Sequence, residues 1–458
     1  MQDLSSGPIR GHLLRMAAFM LVTMIVQTIY GLIDLFWVGH LGREAIAAVS
    51  LGSNLMMAVM AVSQVLAVGA SALVSQAMGR KDMPAVAQLF NQSMLVSALM
   101  GLLVGAAFFA ARQSYASALS SDPATIALTV EFLAWFAPAM ALQIPMMVLS
   151  SALRGVGNMR ISSIAQLATV LMNIVFAPFL IFGWISGVPL GVGGAALATL
   201  VAIAIGFAGM LSHVIRSPHY FDAARGAWRV QFPLWRRIAI IGLPSGLELG
   251  LMASYMAAVM GLLQAFGPAT QAGFGIGMRI LQTGMIPSMA ISFAAGAIVG
   301  QNFGAGRGDR VREAFWLSLR YTLIGAAVFV LMFHLAPQWL IRPFSADPGV
   351  IEAGSDFLRL ISWNLLGSGV VFACFGVFSG LGDTRPSLIS SAIRIALILV
   401  PATWLSHRTG FTPLWIWYLS VAATTLQAAM NLFFLQSRFS RLPAADGPAT
   451  AAHPASAP

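Results

Sequence analysis

Asp34 is the residue whose presence most needs a chemical reason. It stands about seven residues, roughly 10 Å of helix, before the end of an apolar stretch that begins near position 13. A carboxylate at midspan costs about 2.5–3.5 kcal/mol on insertion scales. Such a group can exchange a proton or hold a cation; the plain alternative is an interfacial carboxylate paired with an arginine. Glu248 is the other acid well separated from a loop, and it follows Pro244 by one turn. It can bind a cation or substrate, or satisfy backbone groups freed by Pro244. Arg279, Arg320, Arg359 and Arg394 also fall inside apolar stretches. Arg320 and Arg359 lie near stretch ends, where long side chains snorkel; Arg279 and Arg394 lie deeper, where they face a cavity or pair with Glu248. The single Cys374 sits in an apolar run and reads as a buried inert thiol. No metal-ligand spacing, HExxH, GxSxG or catalytic triad accompanies these residues, so no metal site and no catalytic residue is expected.

These side chains need elements that can hold them in lipid. Apolar residues fill 58% of 458 positions, charged residues 9%, and mean hydropathy is +0.83. A soluble domain is about a quarter charged, so lipid must be the solvent for most of this chain. Only helices and closed barrels satisfy their backbone groups there, and the alternation of about ten residues that marks a barrel strand is missing. The expected fold class is an all-α polytopic membrane protein with twelve transmembrane helices, at 13–39, 47–78, 90–111, 128–152, 161–183, 191–215, 238–264, 271–300, 315–340, 353–378, 386–407 and 413–437. The net charge of +10 comes from arginines between these spans, which suits topology and anionic lipid headgroups rather than nucleic acid. Arg10 and Arg15 precede the first span without a small-residue cleavage site, so no cleavable signal is expected.

The basic residues are unevenly shared. With a cytoplasmic N-terminus, Lys81, Arg154, Arg160, Arg216, Arg236, Arg237, Arg307, Arg310, Arg385 and Arg441 fall on one side and only Arg43, Arg112, Arg342 and Arg408 on the other. The bias places both termini in the cytoplasm. The chain also repeats: a gap-free shift of 225 residues aligns Gln76 with Gln301, Gly79 with Gly304, Asp122-Pro123 with Asp347-Pro348, Gly155 with Gly380 and Arg160 with Arg385. Six spans per repeat make the repeats parallel, the plan of a transporter with a cleft between two bundles. The expected division is an N-terminal lobe (1–220), a basic, aromatic cytoplasmic linker (221–237), a C-terminal lobe (238–440) and a disordered Pro/Ala-rich tail (441–458). Gly155, Gly157, Gly380 and Gly382 follow long helices with no strand before and no Lys-Ser/Thr after, so they read as turns rather than a phosphate loop.

Several of these segments resemble the multidrug and toxic compound extrusion (MATE) family. Asp34–Gly52 (DLFWVGHLGREAIAAVSLG) looks like its first-helix signature, and Val299–Arg307 (VGQNFGAGR), with its first-half partner Val74–Arg80 (VSQAMGR), resembles another of its segments. Gly380–Pro386 (GLGDTRP), paired with Arg154–Arg160 (RGVGNMR), is a third. The resemblance spans nearly the whole chain. It implies a V-shaped antiporter in the bacterial inner membrane, not an enzyme, that expels amphipathic, often cationic compounds in exchange for protons or sodium ions. A monomer is expected, with no cofactor beyond the coupling ion and the bilayer as its surroundings; the methionines suit a cleft that accepts varied apolar cations. The resemblance puts Asp34, Asn173 and Thr199 in the cation-coupling site. The family's acid one turn after the fifth-helix Asn is Ala177 here, its seventh-helix acid aligns near Met252 rather than Glu248, and its tenth-helix acid aligns with Ser368. Missing carboxylates favour protons over sodium. Glu248 and Arg279 are the secondary candidates for substrate or cation. A flippase for lipid-linked sugar precursors is the alternative, but it would need a more cationic cleft; an intramembrane lipid-modifying enzyme is a remote one.

Asp34→Asn keeps size and hydrogen bonding but removes the charge. It is expected to insert at wild-type abundance and lose drug–cation exchange, with Glu248→Gln doing less damage. Wild-type resistance in Asp34→Asn at equal membrane abundance would return Asp34 to the interfacial reading.

Overall fold

The computed structural model describes residues 2–184, 187–217, 228–408 and 410–442, without the side chains of Leu32, Asp34 and Leu35. Residues 221–227 of the linker assigned to 221–237, and all but the first two residues of the tail assigned to 441–458, lie outside the described residues. The described chain is helical: α1 (Ile9–Gly39), α2 (Arg43–Gly79), α3 (Met83–Leu119), α4 (Pro123–Gly155), α5 (Met159–Phe182), α6 (Gly191–Arg216), α7 (Phe232–Leu263), α8 (Pro268–Gly304), α9 (Gly308–Leu335), α10 (Pro337–Ile341), α11 (Pro348–Ile361), α12 (Asn364–Leu381), α13 (Arg385–Ser406) and α14 (Pro413–Phe439). Twelve of these are long and apolar enough to cross a membrane. The protein is a multi-pass membrane protein built from two six-span repeats.

Local chemistry sets the helix starts. Asp122 accepts from Thr125 N at 2.9 Å and Asp347 from Gly349 N at 2.7 Å. Each is followed by a proline at the first helical position, where the missing N–H costs nothing. These caps are the same positions in the two repeats. So are Gly157 and Gly382, whose φ values of +80° and +77° end α4 and α12 in the left-handed turn that glycine tolerates.

One span differs from its expected form. The stretch expected as a single helix over 353–378 is two helices, α11 and α12, parted at Ser362-Trp363. Ser362 Oγ donates to Arg359 O at 3.0 Å, the kind of local bond that competes with the helical ladder. Trp363 corresponds to Pro138 of the first repeat, where α4 keeps its helix but carries a proline inside it. The ninth span, expected to reach 340, stops at Leu335 because Pro337 follows.

Short connections make successive spans antiparallel, so α2, α4, α6, α8, α12 and α14 all finish at the end of the molecule where both termini lie, called basal below. There the repeats interlock. The basal half of α1 (Ile9, Leu13, Met16, Met20) shares a core with Ala294 and Ile298 of α8, Phe315 of α9 and Phe378 of α12. The basal half of α7 (Ile238, Ile241) joins a core with Leu66 and Ala70 of α2 and Leu149 of α4. Farther along, Tyr255, Val259 and Leu263 of α7 return to the second repeat's core, and Trp37 of α1 returns to the first's. The first helix of each repeat is thus rooted in the other repeat.

Glycines decide how close α2 and α7 come. A Cβ at Gly69 would stand 2.0 Å from Ile238 O, and one at Gly242 would stand 1.7 Å from Val65 O. One turn on, at Gly246, it would meet Val65 Cγ2 at 2.3 Å; at Gly250 nothing lies within 4 Å. Backbone contact therefore holds the seam basally and lapses toward the distal end, where the repeats part as the arms of a V.

Gly242→Ala is expected to destabilise the detergent-purified protein by about 1–3 kcal/mol through overpacking. Gly250→Ala, free of contacts, should be neutral or stabilising by up to about 1 kcal/mol. Thermal unfolding of the two variants checks this; equal effects would refute the seam geometry.

Candidate functional site

Two polar centres lie inside the lobes and a third joins them at the base. In the first repeat, Asn173 on α5 is 3% exposed. Its Nδ2 donates to Thr199 Oγ1 on α6 at 3.0 Å, and the threonine hydroxyl donates to Ala195 O at 3.1 Å. Among the described residues Asn173 Oδ1 is left buried without a hydrogen-bond partner, an oriented acceptor of the kind a cation or an acidic proton can satisfy. Ala177, one turn along α5, is 1% exposed, so only a buried methyl group stands there beside Asn173. The structure thus brings Asn173 and Thr199 together. Asp34 lies on α1, whose Trp37, one turn later, meets Phe182 at the end of α5 with ring centroids 6.1 Å apart; the Asp34 side chain itself lies outside the described residues.

In the second repeat, Glu248 on α7 accepts a hydrogen bond from the Ser391 hydroxyl on α13. Ser391 Oγ in turn accepts from Gln427 Nε2 on α14 at 2.9 Å. The carboxylate is therefore tied to neighbouring helices by side chains, not to the backbone around Pro244. Arg394, one turn beyond Ser391, lies over the Tyr255 ring at 5.7 Å and directs Nη2 to Met252 Sδ at 3.8 Å. It forms no ion pair with Glu248 within 4 Å among the described residues, and its Nε is buried without a partner. Arg279 on α8 is exposed and forms no ion pair among the described residues. Of the two deep arginines, Arg394 is thus the one that shares a chamber with Glu248. A carboxylate with a hydroxyl donor and a nearby guanidinium can change its partner as protons or cationic ligands arrive.

The basal centre was not expected as a site. Gln76 Nε2 on α2 donates across to Gly380 O at 3.0 Å, and Gln301 Nε2 on α8 donates across to Gly155 O at 2.9 Å. The four residues are two repeat-equivalent pairs, so the bonds form a crossed clasp. Between them a Cβ at Gly79 would stand 2.0 Å from Gln301 O, and one at Gly304 would stand 2.1 Å from Gln76 O. The N-terminal residues close the clasp from below. Leu4 N donates to Gln301 Oε1 at 2.9 Å, Asn302 Nδ2 to Leu4 O at 3.1 Å, and Arg307 Nη1 to Ser5 O at 2.6 Å. Asp3 is held ionised by the Ser5 hydroxyl and N–H, which lower its pKa below the ordinary value. Arg154, placed by its sequence position in a basic connection, is instead 8% exposed and lies inside the seam. The repeat had marked Gln76, Gln301, Gly155 and Gly380 as matched positions; that they meet crosswise is visible only in three dimensions.

The chain and its architecture match known proteins. The family model MatE covers residues 20–179 and 244–405, well over half of the chain. The chain belongs to the MATE family of transporters. Among curated relatives, a probable multidrug resistance protein NorM of Thermotoga maritima is 26% identical over 94% of both chains. A protein named FAD transporter of Shewanella oneidensis is 25% identical over 95% of this chain and 96% of its own. The multidrug export protein MepA of Staphylococcus haemolyticus is 25% identical over 92% of both. A solved structure described as the outward-facing conformation of a multidrug resistance MATE family transporter superposes with a TM-score of 0.88 at 22% identity, over 96% of this chain and 98% of that one.

Removing both crossed donors (Gln76→Ala with Gln301→Ala) should shift the base toward opening by about tenfold or more, from two lost hydrogen bonds of about 0.5–1.5 kcal/mol each. A cysteine replacing buried Ser75, in a Cys374→Ala background, reports this as faster reaction with a water-soluble thiol reagent. An unchanged labelling rate would remove the clasp from the gate.

Proposed function

We propose that this MATE transporter exports amphipathic, often cationic small molecules in exchange for protons. Its place is the bacterial inner membrane, with the basal end and both termini in the cytoplasm, where the arginines gather. A single chain supplies both lobes, and it acts as a monomer. The observation that carries the coupling reading is the buried, unpartnered Oδ1 of Asn173, bonded through its amide to Thr199 and flanked by Ala177 where a second carboxylate would stand. A desolvated sodium ion needs several oxygen ligands with negative charge among them; one asparagine oxygen, one threonine hydroxyl and Asp34 suit a proton better. Protonation of Asp34 would favour one arrangement of the first lobe and drug in the cleft the other, each ligand shifting the balance by its differential affinity.

A second reading has one observation of its own. A relative is named FAD transporter, and Arg279, exposed on α8, offers an anionic nucleotide a cation that forms no ion pair among the described residues. Competition by FAD for export of a cationic dye separates the two substrate classes.

Uptake of a cationic dye into energised everted vesicles tests the coupling ion. It should cease when the proton gradient is collapsed and continue when the sodium gradient is. Uptake that survives proton collapse but requires sodium would overturn proton coupling.

A further inference from the structure

Where α2, α4, α8 and α12 meet just above the clasp, the seam encloses a small polar cavity. Arg154 lines it together with Gln64, Ser71 and Ser379. Its volume is about 20 Å³, enough for one small sphere and no more. Arg154 is 8% exposed. Of its five N–H donors, one is used, Nη1 to Ser150 Oγ at 2.9 Å; Phe293 of α8 faces the guanidinium at 5.7 Å.

Among the described residues nothing neutralises that charge. No carboxylate lies within 4 Å of Arg154 among the described residues. The acids on the four lining helices are Glu44 and Glu131, both about 30 Å or more along the axis from the cavity. A buried, uncompensated cation is costly, and a neutral water would not offset it. Of the other polar side chains that line the cavity, Ser151 and Ser292 already donate to Ala67 O and Phe372 O, whereas the Gln64 amide and the Ser71 and Ser379 hydroxyls can donate and make no hydrogen bond among the described residues. Four sets of unused donors, one fixed positive charge and room for one sphere define a receptor for a monatomic anion. A phosphate or a carboxylate-bearing substrate would not fit.

We propose that this cavity binds one chloride ion, held by Arg154, Gln64 and Ser71 of the first repeat and Ser379 of the second. Ser379 is the repeat-equivalent of Arg154, so the ion lies near the pseudo-twofold axis with its charge partner on one side only. Because both repeats donate, the site is complete only while the base is closed. Chloride therefore stabilises the base-closed state and must leave, or lose its Ser379 ligand, when the repeats separate there. This inference does not depend on which ion drives transport.

The test uses the full chain purified in detergent, with chloride replaced by gluconate at constant pH and ionic strength. Radioactive chloride should bind saturably, one ion per chain, and the melting temperature should rise with chloride concentration and level off. Ser379→Ala should weaken binding about tenfold, as expected for losing one hydrogen bond to a charged group, and Arg154→Gln should abolish it. If Arg154→Gln fails to fold, Ser379→Ala decides alone. Absence of saturable binding with equal melting in both salts would overturn the proposal and leave a water-filled cavity. Chloride affinity unchanged in Ser379→Ala would equally overturn it, by placing the ion elsewhere.

Discussion

The crossing that joins the two repeats at the base depends on backbones that touch. Lipid gives packed helices no hydrophobic advantage over separated ones, so association rests on close van der Waals fit and on hydrogen bonds between helices. At the base, α2 and α8 cross with no side chain between Gly79 and the Gln301 carbonyl, or between Gly304 and the Gln76 carbonyl. That approach is what lets each glutamine reach a carbonyl of the opposite repeat. Widen the crossing by one methyl group and the crossed bonds, the seat for Leu4 and the cavity at Arg154 all lose their geometry together. The lobes are therefore coupled through a contact made of the least specific atoms in the chain, given specificity by two amides.

Much of the fold was legible because membrane physics restricts it. Span positions followed from apolar length, and Asp-Pro and Gly turns marked their ends; the helices run a turn or two past the hydrocarbon estimate, as α3 and α9 do, because polar first turns such as Asp309–Arg312 extend into the interface. The break at Ser362-Trp363 was not legible. Both halves of that span are apolar, and the deciding bond, a serine hydroxyl turned onto its own helix, leaves no trace in hydropathy. The rooting of α1 and α7 in the opposite repeats was also hidden, since a gap-free repeat says which residues are equivalent and not which repeat they pack against.

The polar centres divide in the same way. Asn173 and Thr199 were named from motif positions and do meet, because residues on successive antiparallel helices have few other places to go. Glu248 was visible as an isolated acid, yet its partners Ser391 and Gln427 are ordinary residues on distant helices, and no spacing could have selected them. Arg154 was misplaced because a residue beside a glycine turn reads as a connection; the structure buries it because α4 runs to Gly155 inside the seam. Charge alone marks a residue as interesting, and only packing says whether it faces water.

The exchanged roots of α1 and α7 have a consequence for how the protein is made. A membrane protein is delivered to the bilayer from its N-terminus onward, so α1 is inserted long before the helix on which its basal half rests, α8, has been synthesised. Leu13 and Ala294 share one core across most of two repeats of sequence, and such distant contacts are slow to form because the loop between them must close first. The first six helices must then wait in the bilayer with an unfinished basal face until α7 and α8 arrive, and the assembly of the two lobes becomes a single late event. A ribosome stalled within the second repeat would leave an N-terminal half already inserted but unable to finish folding, which makes such truncated chains natural substrates for membrane quality control.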